Sequence, residues 1–108
     1  MLQIFKRLSE ELAAGRSAVL ATIVTEEGSA PRGAGAQMLV GAAGQLAGTI
    51  GGGAVEKVSE SMALSLLEEG RSALHTFRLH RNDGEDIGMV CGGDVTMLFQ
   101  YVPGGSEV

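Results

Sequence analysis

Apolar residues at the start of the chain recur with the spacing of an amphipathic helix. Phe5, Leu8 and Leu12 are three and four positions apart, and charged residues occupy the opposite face. Gly15 follows them, and glycine commonly takes the left-handed position just beyond a helix. This pattern predicts a helix over residues 2–14.

A second helical pattern begins directly after a run of glycines. Val55, Val58, Met62 and Leu66 recur at spacings of three and four and form one apolar stripe. A glycine again follows the last periodic residue, where a helix commonly ends. We therefore expect the second helix over residues 54–69.

Five other segments have the composition of β-strands. The unbroken run of Val, Leu, Ile and Thr at residues 18–25 indicates a strand that is buried on both faces. Alternating apolar residues over 94–102 predict the last strand, with one face toward the core. The other three strands are predicted at residues 37–40, 45–48 and 73–79.

The order of these elements indicates the fold class. We expect an α/β fold in a single small domain, with a mixed β-sheet of about five strands and two helices packed on it. A chain of 108 residues has room for one domain. We assign residues 1–102 to that domain and residues 103–108 to a C-terminal tail.

Charge and cysteine usage exclude several classes of protein. The net charge of −5 argues against nucleic acid as a partner, because such binding depends on Lys and Arg neutralising phosphates. One cysteine rules out an intrachain disulfide framework and indicates a free thiol in the cytoplasm. The longest apolar run, residues 18–24, is too short to span a membrane. We expect a soluble cytoplasmic protein.

Glycine is the residue type that changes this picture most. Its 17 copies are about twice the average share, and they cluster between the periodic segments rather than along a low-complexity stretch. The first cluster, residues 28–35, combines Ser29, Pro31 and Arg32 with flexible glycines. Its backbone N–H groups and the guanidinium of Arg32 could hold an anion. Taken alone, this segment is more typical of an ordinary turn with a solvated arginine.

The second cluster leads into the second predicted helix. It contains Gly51, Gly52 and Gly53. Free amides and the positive end of the helix dipole converge at such a position, which favours an anion. It is not a P-loop, because Ala54 and Val55 stand where Lys and Ser or Thr are required. Glu56 lies in the first helical turn, and helix capping and ligand binding are equally expected for it.

The third cluster contains the single cysteine. It runs through Met89, Cys91, Gly92 and Gly93. A thiol near arginines or a helix N-terminus would be reactive, whereas a buried thiol behaves as a small hydrophobic side chain. Taken alone, the buried alternative is favoured, although the flanking glycines point toward a functional loop. The two histidines, His75 and His80, lack the spacing of a zinc or iron site.

The three clusters together resemble the N-terminal domain of the XdhC/CoxI family, the xanthine dehydrogenase accessory factors. The matching motifs are Gly28-Ser29-Ala30-Pro31-Arg32 with Gly35, Gly48-Thr49-Ile50-Gly51-Gly52-Gly53 with Glu56, and Gly88-Met89-Val90-Cys91-Gly92-Gly93. The resemblance covers roughly residues 8 to 102. Each motif is weak by itself, and their common order and spacing make the match specific.

The resemblance implies a function in the maturation of molybdenum hydroxylases. Such a protein binds the molybdenum cofactor (molybdopterin) as cargo, promotes its sulfuration with a cysteine desulfurase, and inserts it into the apo-enzyme of a xanthine dehydrogenase-type hydroxylase. It is a chaperone rather than a catalyst with turnover. The implied cofactor-binding residues are Ser29, Arg32, Gly51, Gly52, Gly53, Glu56, Met89, Cys91, Gly92 and Gly93, with Cys91 the candidate contact to molybdenum or its sulfur ligand.

Longer family members add a Rossmann-like domain, which these 108 residues do not contain. We therefore expect either a separate Rossmann-type partner protein or a homo-oligomer that completes the site. Two alternatives from other functional classes stay open. One is a protein-interaction module of a maturation complex without its own ligand, and the other is a thiol-dependent sulfur-transfer enzyme.

Overall fold

The computed structural model describes residues 2–26, 35–51, 53–78 and 94–105. Its two helices and five strands are those that the sequence predicts, and each predicted boundary lies within one residue of the observed one. The elements are α1 (Leu2–Ala13), β1 (Ala18–Glu26), β2 (Gln37–Gly41), β3 (Gly44–Gly48), α2 (Gly53–Glu69), β4 (Ala73–Arg78) and β5 (Asp94–Val102).

The five strands form one sheet in the order β3-β2-β1-β5-β4. The predicted sheet of five strands with two packed helices is confirmed, but all four pairings are antiparallel where we expected mixed directions. The connections explain this difference. Three of the four pairings join consecutive strands as antiparallel neighbours, and the fourth joins β1 to β5. The long connection through α2 joins the two edge strands, β3 and β4, rather than two adjacent ones.

The helices pack on opposite faces of the sheet. On one face, Ile4, Leu8 and Leu12 of α1 contact Leu20 and Leu39. The other face carries the larger core, where α2 covers the centre of the sheet. That core includes Val19, Ala21, Ile23, Val55, Leu66, Met97 and Phe99. Successive β1 residues therefore enter different cores, which explains why this strand is apolar throughout.

Hydrogen bonds hold the chain after β5 against the end of α1 and the turn between α1 and β1. Gly104 N donates a hydrogen bond to Ser17 Oγ at 2.9 Å, and Gly105 N donates to Leu12 O at 2.9 Å. A Cβ atom at Gly104 would lie 2.4 Å from Gly15 O, so the two backbones approach too closely for any side chain here. None of the helices in the described parts of the chain is long and apolar enough to cross a membrane.

A buried carboxylate ties the last turn of α1 to the following loop. Glu11, whose side chain is 6% exposed, accepts hydrogen bonds from Arg16 Nε at 2.7 Å and Arg7 Nε at 3.1 Å. The hydrogen bond from Arg16 is the largest influence on the pKa of Glu11, which falls from 4.5 to about 2 although burial opposes the change. The same ion pair raises the pKa of Arg16.

Acid should weaken the fold through this carboxylate. Because the pKa of Glu11 is lower in the folded state, its contribution is complete above 4.5 and is lost as the pH falls toward 2. The arginines are partly exposed, so we expect a contribution of only about 2 kcal/mol. Urea unfolding of the wild type and Glu11→Gln should show this gap at about pH 7 and a smaller one at about pH 3. An equal gap at both pH values would contradict the assignment.

Candidate functional site

The strand ends that flank the three glycine clusters lie at one end of the sheet. The segment between β1 and β2 leaves after Glu26, and the segment between β4 and β5 joins Arg78 to Asp94. In the sheet, Glu26 lies opposite Val95, and Arg78 lies opposite Asp94. β3 runs in the same direction as β1, and its last residue, Gly48, lies on the same side of the sheet as Glu26. We call this side, formed by residues 26, 37, 48, 78 and 94, the loop end.

Both helices also begin at the loop end. α2 starts at Gly53, immediately after the second glycine cluster. The first turn of α1 lies beside the end of β3, where Ile4 Cδ1 would be 2.7 Å from a Cβ atom placed on Gly48. The positive ends of two helix dipoles therefore point toward the side from which the glycine clusters emerge. This arrangement favours a negatively charged ligand.

Three of the predicted site residues belong to the described part of the chain. Gly51 has a φ of 120°, a backbone conformation that favours glycine, and Gly53 is the first residue of α2. Glu56 lies one turn into the helix. The other candidates fall outside the described residues and stay predictions: Ser29, Arg32, Gly52, Met89, Cys91, Gly92 and Gly93. The sulfur-transfer alternative depends on Cys91 and stays a prediction with it.

Glu56 holds the turn that leads into α2. Its Oε1 accepts hydrogen bonds from Thr49 Oγ1 at 2.5 Å and from Ile50 N at 3.0 Å. Thr49 Oγ1 in turn accepts one from Gly51 N at 3.1 Å. These contacts resemble a helix-capping arrangement, in which a carboxylate in the first turn satisfies preceding backbone donors. Of the two expectations for Glu56, the described contacts favour capping.

A second carboxylate on α2, that of Glu60, connects the helix to β3. Glu60 lies one turn beyond Glu56, and its Oε2 accepts a hydrogen bond from Gln45 N at 2.9 Å on β3. Gln45 Nε2 donates to Gly48 O at 2.6 Å. The spacing of four residues places Glu56 and Glu60 on one helix face, but the sequence does not indicate the partner of Glu60, because Gln45 is 15 residues away. The pair binds α2 to β3 and to the turn that follows it.

A cavity of about 280 Å³ lies at the loop end, between the end of the first glycine cluster and the start of the second. Its lining consists of Ile4, Gly35, Ala36, Gln37, Gly48 and Thr49. Gly35 N donates to Ile23 O at 2.8 Å, and Ile23 N donates to Ala36 O at 3.0 Å, so this edge of the cavity is fixed to β1. Two distant segments of the sequence thus share one concave surface.

The model of the XdhC and CoxI family matches residues 11–78, well over half of the chain. This chain belongs to the XdhC/CoxI family. The matched residues include two of the glycine clusters and all of the cavity lining except Ile4, and they stop before the cysteine cluster.

Individual relatives agree with this assignment. The molybdenum cofactor insertion chaperone PaoD of Escherichia coli (strain K12) is 36% identical over 91 residues, covering 82% of this chain and 27% of PaoD. Protein YqeB of the same organism is 42% identical over 79 residues, covering 73% of this chain and 14% of YqeB. The chain therefore spans less than a third of either relative.

A solved structure shares the fold. The crystal structure described as a xanthine dehydrogenase from Bacillus halodurans matches with a TM-score of 0.68 and 30% sequence identity. The match covers 89% of this chain and 30% of the other. The XdhC/CoxI fold described above is therefore also found within a longer protein.

Gln37 is a polar residue of this XdhC/CoxI domain, and the sequence predicts it only as the first residue of a strand. Its Nε2 donates to Thr22 Oγ1 on the neighbouring strand at 3.2 Å. Its Oε1 is buried and has no hydrogen-bond partner among the described residues. No local pattern marks this position, because the contact joins residues that are 15 apart in sequence.

The described residues contain no group of three or more His, Cys, Asp and Glu side chains that could hold a metal ion. His75 lies on β4, where its ring packs edge-on against Phe77 with a centroid distance of 4.5 Å.

Proposed function

We propose that this domain binds the molybdenum cofactor at the loop end and assists its insertion into a xanthine dehydrogenase-type hydroxylase. The observation that carries the proposal is that the strand ends flanking the three glycine clusters lie at one end of the sheet, where both helices begin. The similarity to PaoD, a molybdenum cofactor insertion chaperone, supports the same function.

The chemistry of the proposed site suits an anionic ligand that carries a metal. Gly51 N already donates to Thr49 Oγ1, so the backbone N–H groups that follow it at the start of α2 would bind the phosphate. Arg32 would supply a charged fork. Cys91 would offer a thiolate to molybdenum or to its sulfur ligand. Ser29, Met89, Gly92 and Gly93 complete the set that the family motifs imply. Glu56 would act indirectly, because its hydrogen bonds to Thr49 and Ile50 hold the turn in place.

The partners follow from this function. We propose that the domain serves a molybdenum hydroxylase apo-enzyme and meets a cysteine desulfurase that sulfurates the bound cofactor. A separate Rossmann-type domain protein or a second copy of the chain would complete the pocket. All of these encounters belong in the cytoplasm. The domain would act as a non-catalytic chaperone that releases its cargo unchanged apart from the added sulfur.

A second candidate function is a protein-interaction module without its own ligand. A groove of about 500 Å³ runs along β4 and α2, and Met62, Leu66 and Ala73 contribute apolar atoms to it. Leu74 is 65% exposed, and no described strand pairs with the outer edge of β4. Exposed apolar side chains beside a free strand edge favour protein docking. This candidate predicts capture of the apo-hydroxylase by cofactor-free protein.

The test of the proposed function is retention of the cofactor. Purified protein is incubated anaerobically with the molybdenum cofactor and passed over a desalting column, and the retained pterin is oxidised and measured by fluorescence. We expect wild type to retain it and Arg32→Ala to bind about tenfold more weakly. Cys91→Ser should also weaken retention, because a hydroxyl is a poor substitute for a thiolate.

Arg71→Ala is the matched control, because Arg71 is an exposed arginine that pairs with Glu69 near the opposite end of α2. It should retain the cofactor as wild type does. No retention by wild type would refute the proposed function. Equal losses in Arg32→Ala and Arg71→Ala would show that general charge, and not a site at the loop end, controls binding.

A further inference from the structure

The two edges of the sheet are protected to different degrees. At the edge formed by β3, Gln45 N donates a hydrogen bond to Glu60 Oε2 at 2.9 Å, and the register of β3 against β2 shifts beside Leu39. Both features hinder the addition of a further strand. At the other edge, no described strand pairs with the outer side of β4, and residues 72–77 contain no proline, lysine, arginine, aspartate or glutamate. β4 therefore lacks the usual protection against strand pairing.

The backbone groups of Leu74 point away from the sheet. Tyr101 N donates a hydrogen bond to Ser72 Oγ at 2.9 Å, so the N–H group of Tyr101 faces β4. Because successive residues of a strand face opposite neighbours, Leu98, three residues before Tyr101, faces β1 instead. Leu74 lies opposite Leu98 in the register of β4 and β5. The pair is thus a non-hydrogen-bonded one, which leaves the N–H and C=O of Leu74 at the outer edge.

Leu74 also has an exposed apolar side chain. It is the most exposed large apolar side chain in the described part of the chain, with 65% of its surface accessible. Its cross-strand neighbour, Leu98, is only partly buried. α1 packs over β1, β2 and β3, so this pair of leucines lies beside α1 and not beneath it. An outward-facing backbone and an exposed leucine thus coincide at one position of the edge.

We propose that β4 pairs antiparallel with β4 of a second copy of this chain, with Leu74 of each copy at the twofold axis. An edge strand is complementary to its own copy in this orientation, because each outward N–H group meets an outward C=O group. Leu74 exchanges two hydrogen bonds with the partner's Leu74, and Ser72 pairs with the partner's Thr76. The five strands of each copy then form one continuous sheet, with Leu98 and Leu74 of both copies in a single apolar row.

The side chains favour this register over the neighbouring one. A twofold axis at His75 would also align the outward backbone groups, but it would place the two His75 side chains directly opposite each other and Leu74 opposite the partner's Thr76. Like charges in that position are unfavourable when histidine is protonated. With the axis at Leu74, the two exposed leucines bury each other, and His75 lies opposite the partner's Ala73.

The size of the interface indicates a reversible dimer. Six strand residues extend for about 20 Å, and a strand contact of that length buries less than the roughly 1,600 Å² of a typical stable complex. We therefore expect a Kd of about 10–100 µM. Antiparallel pairing places the loop ends of the two copies at opposite ends of the combined sheet, since β4 enters the loop end at Arg78. The second copy would leave each candidate cofactor site open, so a Rossmann-type protein is the partner that could complete it.

Sedimentation velocity of the chain from about 1 to 500 µM tests the dimer. We expect wild type to change from monomer to dimer over this range. Leu74→Lys should dimerise at least about tenfold more weakly, because it brings two ammonium groups together at the axis. Val24→Lys is the matched control, since Val24 is a 40% exposed apolar residue on the central strand β1, away from the edge. It should dimerise as wild type does.

Disulfide formation tests the register and does not depend on the lysine variants folding. In a Cys91→Ser background, Leu74→Cys and Thr76→Cys are oxidised with diamide and examined by non-reducing electrophoresis. The two Cα atoms at position 74 would be about 5.5 Å apart, within the range of a disulfide. Those at position 76 would be about 14 Å apart. We expect rapid formation of a covalent dimer by Leu74→Cys only.

Three results would overturn the proposal. They are a wild type that stays monomeric at every concentration, equal dimerisation by folded Leu74→Lys and wild type, and crosslinking that is no faster in Leu74→Cys than in Thr76→Cys. Circular dichroism establishes that each variant is folded. Cofactor retention does not enter these measurements, so failure of the dimer leaves the proposed function standing, and the reverse also holds.

Discussion

Gly48→Ala should lower the free energy of unfolding by about 3 kcal/mol, because the added methyl group combines backbone strain with a steric clash. Gly48 has a φ of 76°, and a Cβ atom there would lie 2.4 Å from Gln37 O and 2.7 Å from Ile4 Cδ1. The carbonyl belongs to β2, which pairs with β3 at this position, so it cannot move away without disturbing the sheet. Urea unfolding followed by circular dichroism measures the change.

Gly35→Ala is the matched control for backbone strain. Gly35 also has a left-handed φ of 91°, but a Cβ atom there would meet nothing within 4 Å. This substitution should therefore cost only the conformational strain, about 1 kcal/mol. If both variants lost the same stability, the close approach of β2, β3 and α1 at Gly48 would contribute nothing to the effect. The steric clash that we assign to Gly48→Ala would then be refuted.

Glu56→Ala should lower the free energy of unfolding by about 2 kcal/mol and also weaken cofactor retention. The substitution leaves Ile50 N and Thr49 Oγ1 without the carboxylate that accepts their hydrogen bonds. The turn containing Gly51 would then lose the contact that sets its position relative to α2. Glu56→Gln keeps an acceptor oxygen at the same place but lacks the charge, so it should lose about half as much stability.

Glu68→Ala is the control for loss of a helix carboxylate. Glu68 is exposed in the last turn of α2, where a negative charge opposes the helix dipole. Its removal should change stability by less than about 0.5 kcal/mol. If Glu56→Ala kept full stability and yet abolished retention, Glu56 would contact the ligand directly, and the capping interpretation would be refuted.

Local patterns predicted the elements well because each element has its own periodicity. The spacing of Phe5, Leu8 and Leu12 predicts α1, although Ile4 and not Phe5 enters the core. The apolar run from Ala18 predicts a buried strand. Strand direction was not predictable in this way. α2 could connect two adjacent strands or the two edges of the sheet, depending on which strand β4 pairs with. The sequence of α2 does not indicate which of these occurs.

The site was predictable only where glycine marks an unusual backbone. Gly35, Gly48 and Gly51 all have left-handed φ angles, so their clustering in the sequence reflects a real conformational requirement. The attachments of Gln37 and Glu60 could not be found from the sequence, because each of them joins positions that are 15 residues apart. Such contacts exist only once the sheet has formed.

Membership in the XdhC/CoxI family comes from the match over residues 11–78, which includes most of the sheet. The geometry adds the location, since strand directions and helix starts place a candidate anion site at one end of the fold. The groove beside β4 and Leu74 is a separate surface, so cofactor binding and partner docking could be altered independently.

Mapping the cofactor on the domain by NMR tests the central claim most directly. Amide resonances at the loop end come from Gly35, Gly48, Thr49 and Gly51, whereas Gly15 and Gly70 report on the opposite end. On addition of the molybdenum cofactor to the isotope-labelled protein, we predict saturable shifts at the loop end and none at the opposite end. Shifts confined to the groove between β4 and α2, or no shifts at all, would contradict a cofactor site at the loop end.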